Sequence, residues 1–265
     1  MKLSELNKIC QKPDYRTVGN RMVRYFERPA ALYITWVLIH TPVTAHQVTF
    51  IALSVAVAGA ICFTFGTPGY FLVAVLLWQF WYLLDHVDGQ IARYRRSVSL
   101  EGVFYDFVMH HVVNLIMGFA IGYGCYRASH KASAIILGFI TSFSLGMTGL
   151  LSDCEYKAAC SLSFKQQRSI NIRQSQANFP KKKSFPRMIF SLLHKSCEGH
   201  VVMNVFTLYA LFYFWFSSSK MNILGNILWG LLAYYAAVAS LVWISKLTYR
   251  ITSRHLSHQY KIDPA

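Results

Sequence analysis

Three aspartates and one histidine lie in apolar stretches of this sequence, where charged side chains are costly. Asp85 and Asp88 are three residues apart, so on a helix they share one face. Asp106 and His110 are four residues apart and share a face of the next apolar stretch. A charge at the centre of a membrane helix costs at least about 2.5–3.5 kcal/mol. Such a cluster therefore indicates a functional site.

A short connection joins the two stretches, so their helices are expected to be antiparallel neighbours. Three carboxylates and an imidazole then meet at one depth and require a cation. A divalent metal ion, or a pair about 3.5–4 Å apart, would supply it and suits phosphate chemistry. Oxygen-rich ligand sets favour magnesium or manganese. Gly89 and Gly102 leave room beside these groups, and Arg93 adds positive charge where a phosphate would enter.

Two other interpretations of the aspartates stay open at this point. The carboxylates could form salt bridges with the arginines of the short connection, Arg93, Arg95 and Arg96. They could also carry ions or protons in a transporter, because intramembrane carboxylates serve that role too.

The composition indicates which elements position these residues. The chain has 265 residues, is 54% hydrophobic and carries a net charge of +15. Only 14% of its residues are charged, whereas a soluble nucleic-acid-binding protein has about 25%. Six stretches approach the roughly 17–25 residues that a membrane span needs: Val48–Phe65, Tyr70–Arg93, Val103–Tyr123, Ala132–Leu151, Val201–Phe216 and Met221–Ile244.

The basic residues orient these spans. Of the 26 lysines and arginines, all but Arg127, Lys131 and Lys220 fall in the termini and connections of one face. The positive-inside rule makes that face cytoplasmic. We therefore predict an all-α, multi-pass integral membrane protein with six transmembrane helices, both termini in the cytoplasm and an active site that faces the cytoplasm.

The spans divide the chain into three parts. Residues 1–47 are predicted as a cytoplasmic segment with an interfacial amphipathic helix at Ala30–Thr41, which is too short to span. Residues 48–247 form a six-helix catalytic domain with a basic cytoplasmic loop at 152–200, and residues 248–265 form a cytoplasmic tail. Within the loop, Phe185–Leu193 is expected to lie on anionic lipid. The six cysteines lack metal-binding spacing and are given no role.

The site residues belong to a longer pattern. From Asp85 to His110 the chain reads D-H-V-D-G-Q-I-A-R, eight residues, G, three residues, D, three residues, H. This resembles the signature of the CDP-alcohol phosphotransferase family, D-x2-D-G-x2-A-R-x8-G-x3-D-x3-D, at seven of its eight fixed positions. The segment Thr41–Thr49 is similar to the one that opens the family's first membrane helix.

The resemblance implies a transferase in phospholipid or related head-group biosynthesis. Such an enzyme moves a phosphoalcohol group from a CDP-linked donor to the hydroxyl of a lipid or small-alcohol acceptor and releases CMP. Membrane lipids are expected partners, a homodimer is possible, and no nucleic acid is expected. The resemblance also implies two divalent ions, Mg²⁺ or Mn²⁺, held by aspartates, and a nucleotide pocket shaped by small residues and an arginine. The metal positions are Asp85, Asp88 and Asp106, and the pocket positions are Gly89, Ala92, Arg93 and Gly102.

His110 stands where the family pattern has a fourth aspartate, a metal ligand and base for the acceptor hydroxyl. Imidazole can fill either role. It removes one negative charge, however, and favours manganese, cobalt or zinc. The protein is thus expected to be active with His110 and Asp106 as catalytic residues, to use a different acceptor, or to bind nucleotide or lipid without turnover. An ion-coupled transporter is the alternative from another class.

Neighbouring polar residues receive lesser roles. His86 and His111 are expected to point away from the aspartates, because adjacent residues of a helix are about 100° apart. A phosphorylated acceptor would need basic groups after the fourth span, and the candidates are Lys157, Lys165, Arg168 and Arg173.

Overall fold

A computed structural model describes residues 2–11, 21–166, 170–171, 185–253 and 261–262. Eight α-helices account for most of these residues. They are α1 (Leu3–Cys10), α2 (Arg28–Leu38), α3 (Ala45–Thr64), α4 (Pro68–Tyr94), α5 (Leu100–Ser129), α6 (Ser133–Gln166), α7 (Phe185–Ser196) and α8 (Gly199–Thr252). A π-helix, Val23–Glu27, leads into α2, and two-residue strands, β1 (Ile170–Asn171) and β2 (Lys261–Ile262), pair antiparallel.

Six helical stretches are long and apolar enough to cross a membrane, which confirms the predicted all-α fold with six spans. They are α3, α4, α5, Ser133–Leu162 of α6, and Gly199–Phe216 and Ile223–Thr252 of α8. The direction in which the termini face stays a prediction.

The two spans of α8 pack side by side. The rings of Phe206 and Tyr235 are 5.8 Å apart, and the Tyr209 hydroxyl donates a hydrogen bond to the Leu224 carbonyl at 3.1 Å. On one straight helix, positions 29 residues apart would be separated by about 43 Å. The chain therefore reverses direction between these spans, as the prediction of separate fifth and sixth spans requires.

The predicted loop at 152–200 contains more helix than its polar sequence indicates. Helix α6 continues past Leu151 to Gln166, and α7 occupies Phe185–Ser196. Glu155, read from the sequence as a loop residue, lies in α6 and pairs with Arg250 near the end of α8. This contact between helix ends gives the polar extension of α6 a packing partner.

Glycines bring α5 against its neighbours. A Cβ at Gly122 would lie 2.6 Å from the Cα of Gly138 on α6. A Cβ at Gly124 would meet the carbonyl oxygen of Phe63 on α3 at 2.0 Å. Only glycine permits backbones to approach this closely. These contacts fix α5, which carries Asp106 and His110, relative to the rest of the bundle.

The N-terminal helices pack against the end of α4 that carries the aspartates. Leu6, Cys10 and Leu32 form a small buried cluster with Tyr94 at its edge. The predicted interfacial helix is α2, and it begins two residues earlier than expected, at Arg28. One face of α2 is buried on the protein, while the aromatic residues Tyr33 and Trp36 of the other face are exposed.

Candidate active site

The turn between α4 and α5 and the cap of α5 determine where the residues at the adjoining ends of these two helices lie. Ser99 accepts a hydrogen bond from the backbone N–H of Gly102 at 3.1 Å and caps α5. Only the residues 95–99 separate α4 from α5. Arg96, with a φ of 53°, takes up the left-handed conformation in this turn. The tight reversal makes the two helices antiparallel neighbours, as predicted, and brings their polar residues together.

Asp85, Asp106 and His110 meet at this point. The Nε2 atom of His110 lies 3.2 Å from Oδ1 of Asp85 and 3.4 Å from Oδ1 of Asp106. Each residue offers a ligand atom, and these atoms lie within 4.8 Å of one another. Asp85 is nearly buried, whereas Asp106 is half-exposed. The cluster is therefore open on the α5 side, where a substrate can reach it.

The chemistry of this cluster fits a divalent cation. Oδ1 of Asp85 is buried and has no hydrogen-bond partner among the described residues, although His110 lies near it. A buried carboxylate oxygen without a donor is costly. A metal ion between two carboxylates and one imidazole would satisfy that oxygen.

Asp88 lies beside this cluster but is held differently. Its Oδ2 accepts a hydrogen bond of 2.6 Å from the Thr49 hydroxyl on α3. The Asp88 side chain is largely buried. The structure thus brings three of the four predicted ligands into one group and places the fourth against α3.

Two cavities adjoin at the aspartates and share a wall made by Asp88, Gly89, Arg93 and Asp106. The α3-side cavity, of about 260 Å³, is completed mainly by Ala45, His46, Thr49, Ala92, Ser97, Ser99 and Gly102. The α1-side cavity, of about 290 Å³, is completed by Gln11, Arg28, Asp85, His86, Gln90 and His110. Every predicted site residue therefore lines at least one of these cavities.

The two predicted glycines face these spaces. A Cβ at Gly89 would lie 3.3 Å from Nη1 of Arg93, and a Cβ at Gly102 would lie 3.4 Å from Cε1 of His46. Both distances are close to van der Waals contact, so packing alone does not forbid alanine. The absence of a side chain instead leaves volume in the cavities.

The arginines after the aspartates contact backbone carbonyls. Arg93 donates from Nε to the carbonyl of Cys10, and Arg95 donates from Nη2 to the carbonyl of Thr41 at 2.6 Å. Asp85 instead lies next to two imidazoles, those of His86 and His110. This arrangement does not favour the interpretation in which the aspartates serve only as salt-bridge partners of these arginines.

His86 does not face away, as the sequence led us to expect. It lines the α1-side cavity, and its Nε2 lies 3.2 Å from Oε2 of Glu27. Its Nδ1 lies 4.0 Å from Oδ2 of Asp85. The helical offset of 100° gave no indication of this environment, because Glu27 comes from a segment 59 residues earlier in the chain.

Sequence reasoning also missed contributions from two other elements. Thr49 and His46 of α3 line the site, and Arg28 of α2 reaches it from the N-terminal side. The similarity of Thr41–Thr49 to the start of the family's first helix was the one signal available for the α3 residues. No local pattern marks Arg28.

The structure also bears on the predictions for His111 and for the basic residues after the fourth span. His111 pairs with Asp153 of α6, with Nε2 2.8 Å from Oδ2, so this histidine links two helices. Of the residues suggested for a phosphorylated acceptor, Lys157 is exposed on α6. The side chain of Lys165, together with Arg168 and Arg173, lies outside the described residues.

One known protein family matches most of this sequence. The family model described as CDP-alcohol phosphatidyltransferase matches residues 42–244. That range includes all six spans up to the last turns of α8 and every predicted site residue. No curated protein matches the sequence significantly.

Two solved structures share the fold. One is Mycobacterium tuberculosis phosphatidylinositol phosphate synthase (PgsA1) with CDP-DAG bound, with a TM-score of 0.56 and 14% sequence identity over 86% of this chain and 94% of that chain. The other is the same synthase in apo form, with a TM-score of 0.50 and 14% identity over 86% of this chain and 96% of that chain.

Proposed function

Since the chain belongs to the CDP-alcohol phosphatidyltransferase family, we propose that its two adjoining cavities are the donor and acceptor sides of one metal-dependent transfer site. The protein is an integral, multi-pass membrane enzyme that transfers phosphate-containing groups and acts in phospholipid biosynthesis. The single observation that carries the proposed site is the convergence of Asp85, Asp106 and His110 beside Asp88.

The donor side is the α3-side cavity. We assign it the nucleotide of a CDP-alcohol, because Gly89, Ala92 and Gly102 leave its wall open. His46 and the serine hydroxyls of the α4–α5 connection offer polar and aromatic groups to a base and ribose. Arg93 lies in the wall shared with the metal cluster, where its guanidinium can hold a phosphate. The synthase structure with CDP-DAG bound supports a lipid-linked donor of this kind.

Asp85, Asp106 and His110 would hold a divalent ion, and Asp88 with Asp106 would hold a second, Mg²⁺ or Mn²⁺. The ions would neutralise charge on the donor's diphosphate and on the departing CMP. Thr49 orients Asp88 by donating to Oδ2, so the carboxylate keeps one oxygen toward the cavities. On the other flank, Nδ1 of His86 lies 4.0 Å from Oδ2 of Asp85, and Nε2 of His86 pairs with Glu27.

The acceptor hydroxyl would enter the α1-side cavity. Asp106 is half-exposed and lies beside His110, so either residue is placed to receive the proton of that hydroxyl. If Nε2 of His110 binds the metal, Nδ1 carries the proton of the neutral ring, so Asp106 takes the proton of the hydroxyl. The acceptor is proposed to be a lipid or small alcohol, and the site is proposed to face the cytoplasm, since the basic residues concentrate at this end.

The decisive experiment measures CMP release by the purified protein from a panel of CDP-alcohols with a lipid extract. We expect release with Mn²⁺ or Mg²⁺ and none with excess EDTA. Asp88→Ala and Asp106→Ala should lower the rate by about 10²-fold or more, as loss of a charge-stabilising group does. Mass spectrometry of the lipid product identifies the alcohol and the acceptor.

Asp153→Asn is the matched control, because this carboxylate lies on α6 and pairs with His111 outside the two cavities. It should keep at least a large part of the activity. A transporter would instead show ion flux in vesicles without CMP release. A silent family member would bind a CDP-alcohol without releasing CMP, and this outcome would contradict the proposed turnover.

A further inference from the structure

A third cavity lies between α1 and the segment that leads into α2. Its volume is about 470 Å³, within the roughly 300–1,000 Å³ of small-molecule sites. Arg24 and Arg28 line it together with the side-chain amides of Asn7 and Gln11, and no carboxylate occurs among its described lining residues. The cavity therefore offers positive charge and hydrogen-bond donors to an anion.

The rest of the lining is apolar or aromatic. Leu3, Pro29 and Leu32 supply aliphatic surface, and the rings of Tyr25 and Tyr33 are 69% and 62% exposed. Phe26 and Trp36 continue the exposed aromatic surface along the same segment. Aromatic side chains of this kind gather at the level of lipid headgroups. A free inorganic anion would make no use of this surface, whereas a phospholipid presents a phosphate next to apolar chains.

The cavity is also connected with the active site. Arg28 and Gln11 line both this cavity and the α1-side cavity. The backbone carbonyl of Arg28 accepts a hydrogen bond of 3.3 Å from Gln90 of α4, and the Gln90 side chain accepts one of 2.7 Å from Thr35. Both Gln90 and Thr35 are buried. A ligand on Arg28 thus acts on a segment that is fastened to the helix of Asp85 and Asp88.

We propose that this cavity binds the phosphate of an anionic phospholipid from the surrounding bilayer, at a site separate from that of the reacting lipid. Arg24 and Arg28 hold the phosphate, and the tyrosine rings cover the glycerol and the upper acyl chains. The bound lipid stabilises α1 and α2 against α4. The lipid site stands independently of the proposed transfer reaction.

The test uses the full-length protein in nanodiscs of phosphatidylcholine with or without phosphatidylglycerol. Two quantities are measured: the midpoint of thermal unfolding and the phosphatidylglycerol retained in native mass spectrometry. Phosphatidylglycerol should raise the midpoint of the wild type and of the control Arg21→Gln, whose exposed side chain lies outside the cavity lining. Arg24→Gln should lose most of this rise and retain the lipid about 10-fold more weakly.

Arg24→Lys keeps the charge, so it should retain a large part of the rise even if the glutamine variant folds poorly. Equal responses of Arg24→Gln and Arg21→Gln would overturn the proposal. So would an equal rise with inorganic phosphate in phosphatidylcholine nanodiscs, because that result assigns the site to a free anion. Phosphatidylglycerol could raise the midpoint of thermal unfolding while no bilayer supports CMP release. That result would contradict the proposed reaction and leave the lipid site standing.

Discussion

His110 lies between two carboxylates at the position where the family pattern predicts an aspartate. Its imidazole makes the cluster less negative, so hard Mg²⁺ is held less well than by four carboxylates. We predict that His110→Asp lowers the Mg²⁺ concentration for half-maximal CMP release about tenfold, and that His110→Ala lowers the rate about 10²–10⁴-fold. Metal titrations of CMP release with Mg²⁺ and Mn²⁺ measure both effects.

His86→Asn serves as a comparison, because this histidine lines the same cavity without lying within 3.5 Å of a cluster carboxylate. It should change the Mg²⁺ concentration for half-maximal CMP release less than His110→Asp does. An unchanged rate in His110→Ala would show that the imidazole is neither a metal ligand nor the proton acceptor.

The hydroxyl of Thr49 orients the buried carboxylate of Asp88. Removing it leaves one oxygen of that carboxylate without its donor, and a hydrogen bond to a charged group contributes about 1.5–3 kcal/mol. We predict that Thr49→Val lowers kcat/KM about tenfold or more, while Thr49→Ser retains the hydroxyl and most of the activity. Kinetics of both variants at saturating metal, with circular dichroism as a check on folding, measure this. Equal losses in both variants would assign the effect to packing.

Spacing along one helix revealed part of the site but not all of it. Asp106 and His110 are four residues apart on α5, so their common face could be predicted, and the short turn brought Asp85 to them. The contacts of Asp88 with Thr49 and of His86 with Glu27 join residues 39 and 59 positions apart. Such pairs depend on how separate helices pack, and no periodicity within one segment contains that information.

At the scale of elements, the crossing of α5 and α6 depends on two facing glycines. Since a Cβ at Gly122 would lie 2.6 Å from the Cα of Gly138, alanine at this position must push the helices apart. We predict that Gly122→Ala lowers the free energy of unfolding by about 1–3 kcal/mol. Thermal unfolding of the purified protein in detergent measures the loss.

Gly146→Ala on α6 is the matched control, because nothing lies within 4 Å of a Cβ there. Alanine favours helix over glycine, so this variant should be neutral or slightly stabilising. An equal loss at both glycines would contradict the role of close packing between α5 and α6.

The spans themselves could be predicted because apolar stretches of sufficient length have few alternatives in a membrane. The polar continuation of α6 could not, since Asp153, Glu155 and Lys157 read as a loop. Their helix is stabilised by long-range partners, His111 for Asp153 and Arg250 for Glu155. The small strands and the π-helix likewise have no apolar pattern from which they could be predicted.

At the scale of the whole molecule, the positive residues predict which end faces the cytoplasm. Arg96 and Ala132 are exposed in connections at opposite ends of α5. We predict that a membrane-impermeant maleimide modifies Arg96→Cys in inverted vesicles and Ala132→Cys in right-side-out vesicles. The background replaces the exposed Cys154 by serine.

Labelling is read as a mass shift of the purified protein, and the background chain without an added cysteine corrects for the remaining thiols. The reverse pattern would place the aspartates on the outer side of the membrane. It would also require a source of CDP-alcohol there, which is incompatible with the proposed cytoplasmic site.

The contact of Arg93 with the carbonyl of Cys10 also has a consequence for the order of synthesis. Helix α1 leaves the ribosome before α4, yet the surface on which it packs belongs to this second span, some 83 residues later. The amino-terminal helices must therefore wait at the bilayer surface until α4 is inserted. The α1-side cavity is complete only after they dock and after α5 supplies Asp106 and His110, so the newly made chain lacks its finished site until the third span is in place.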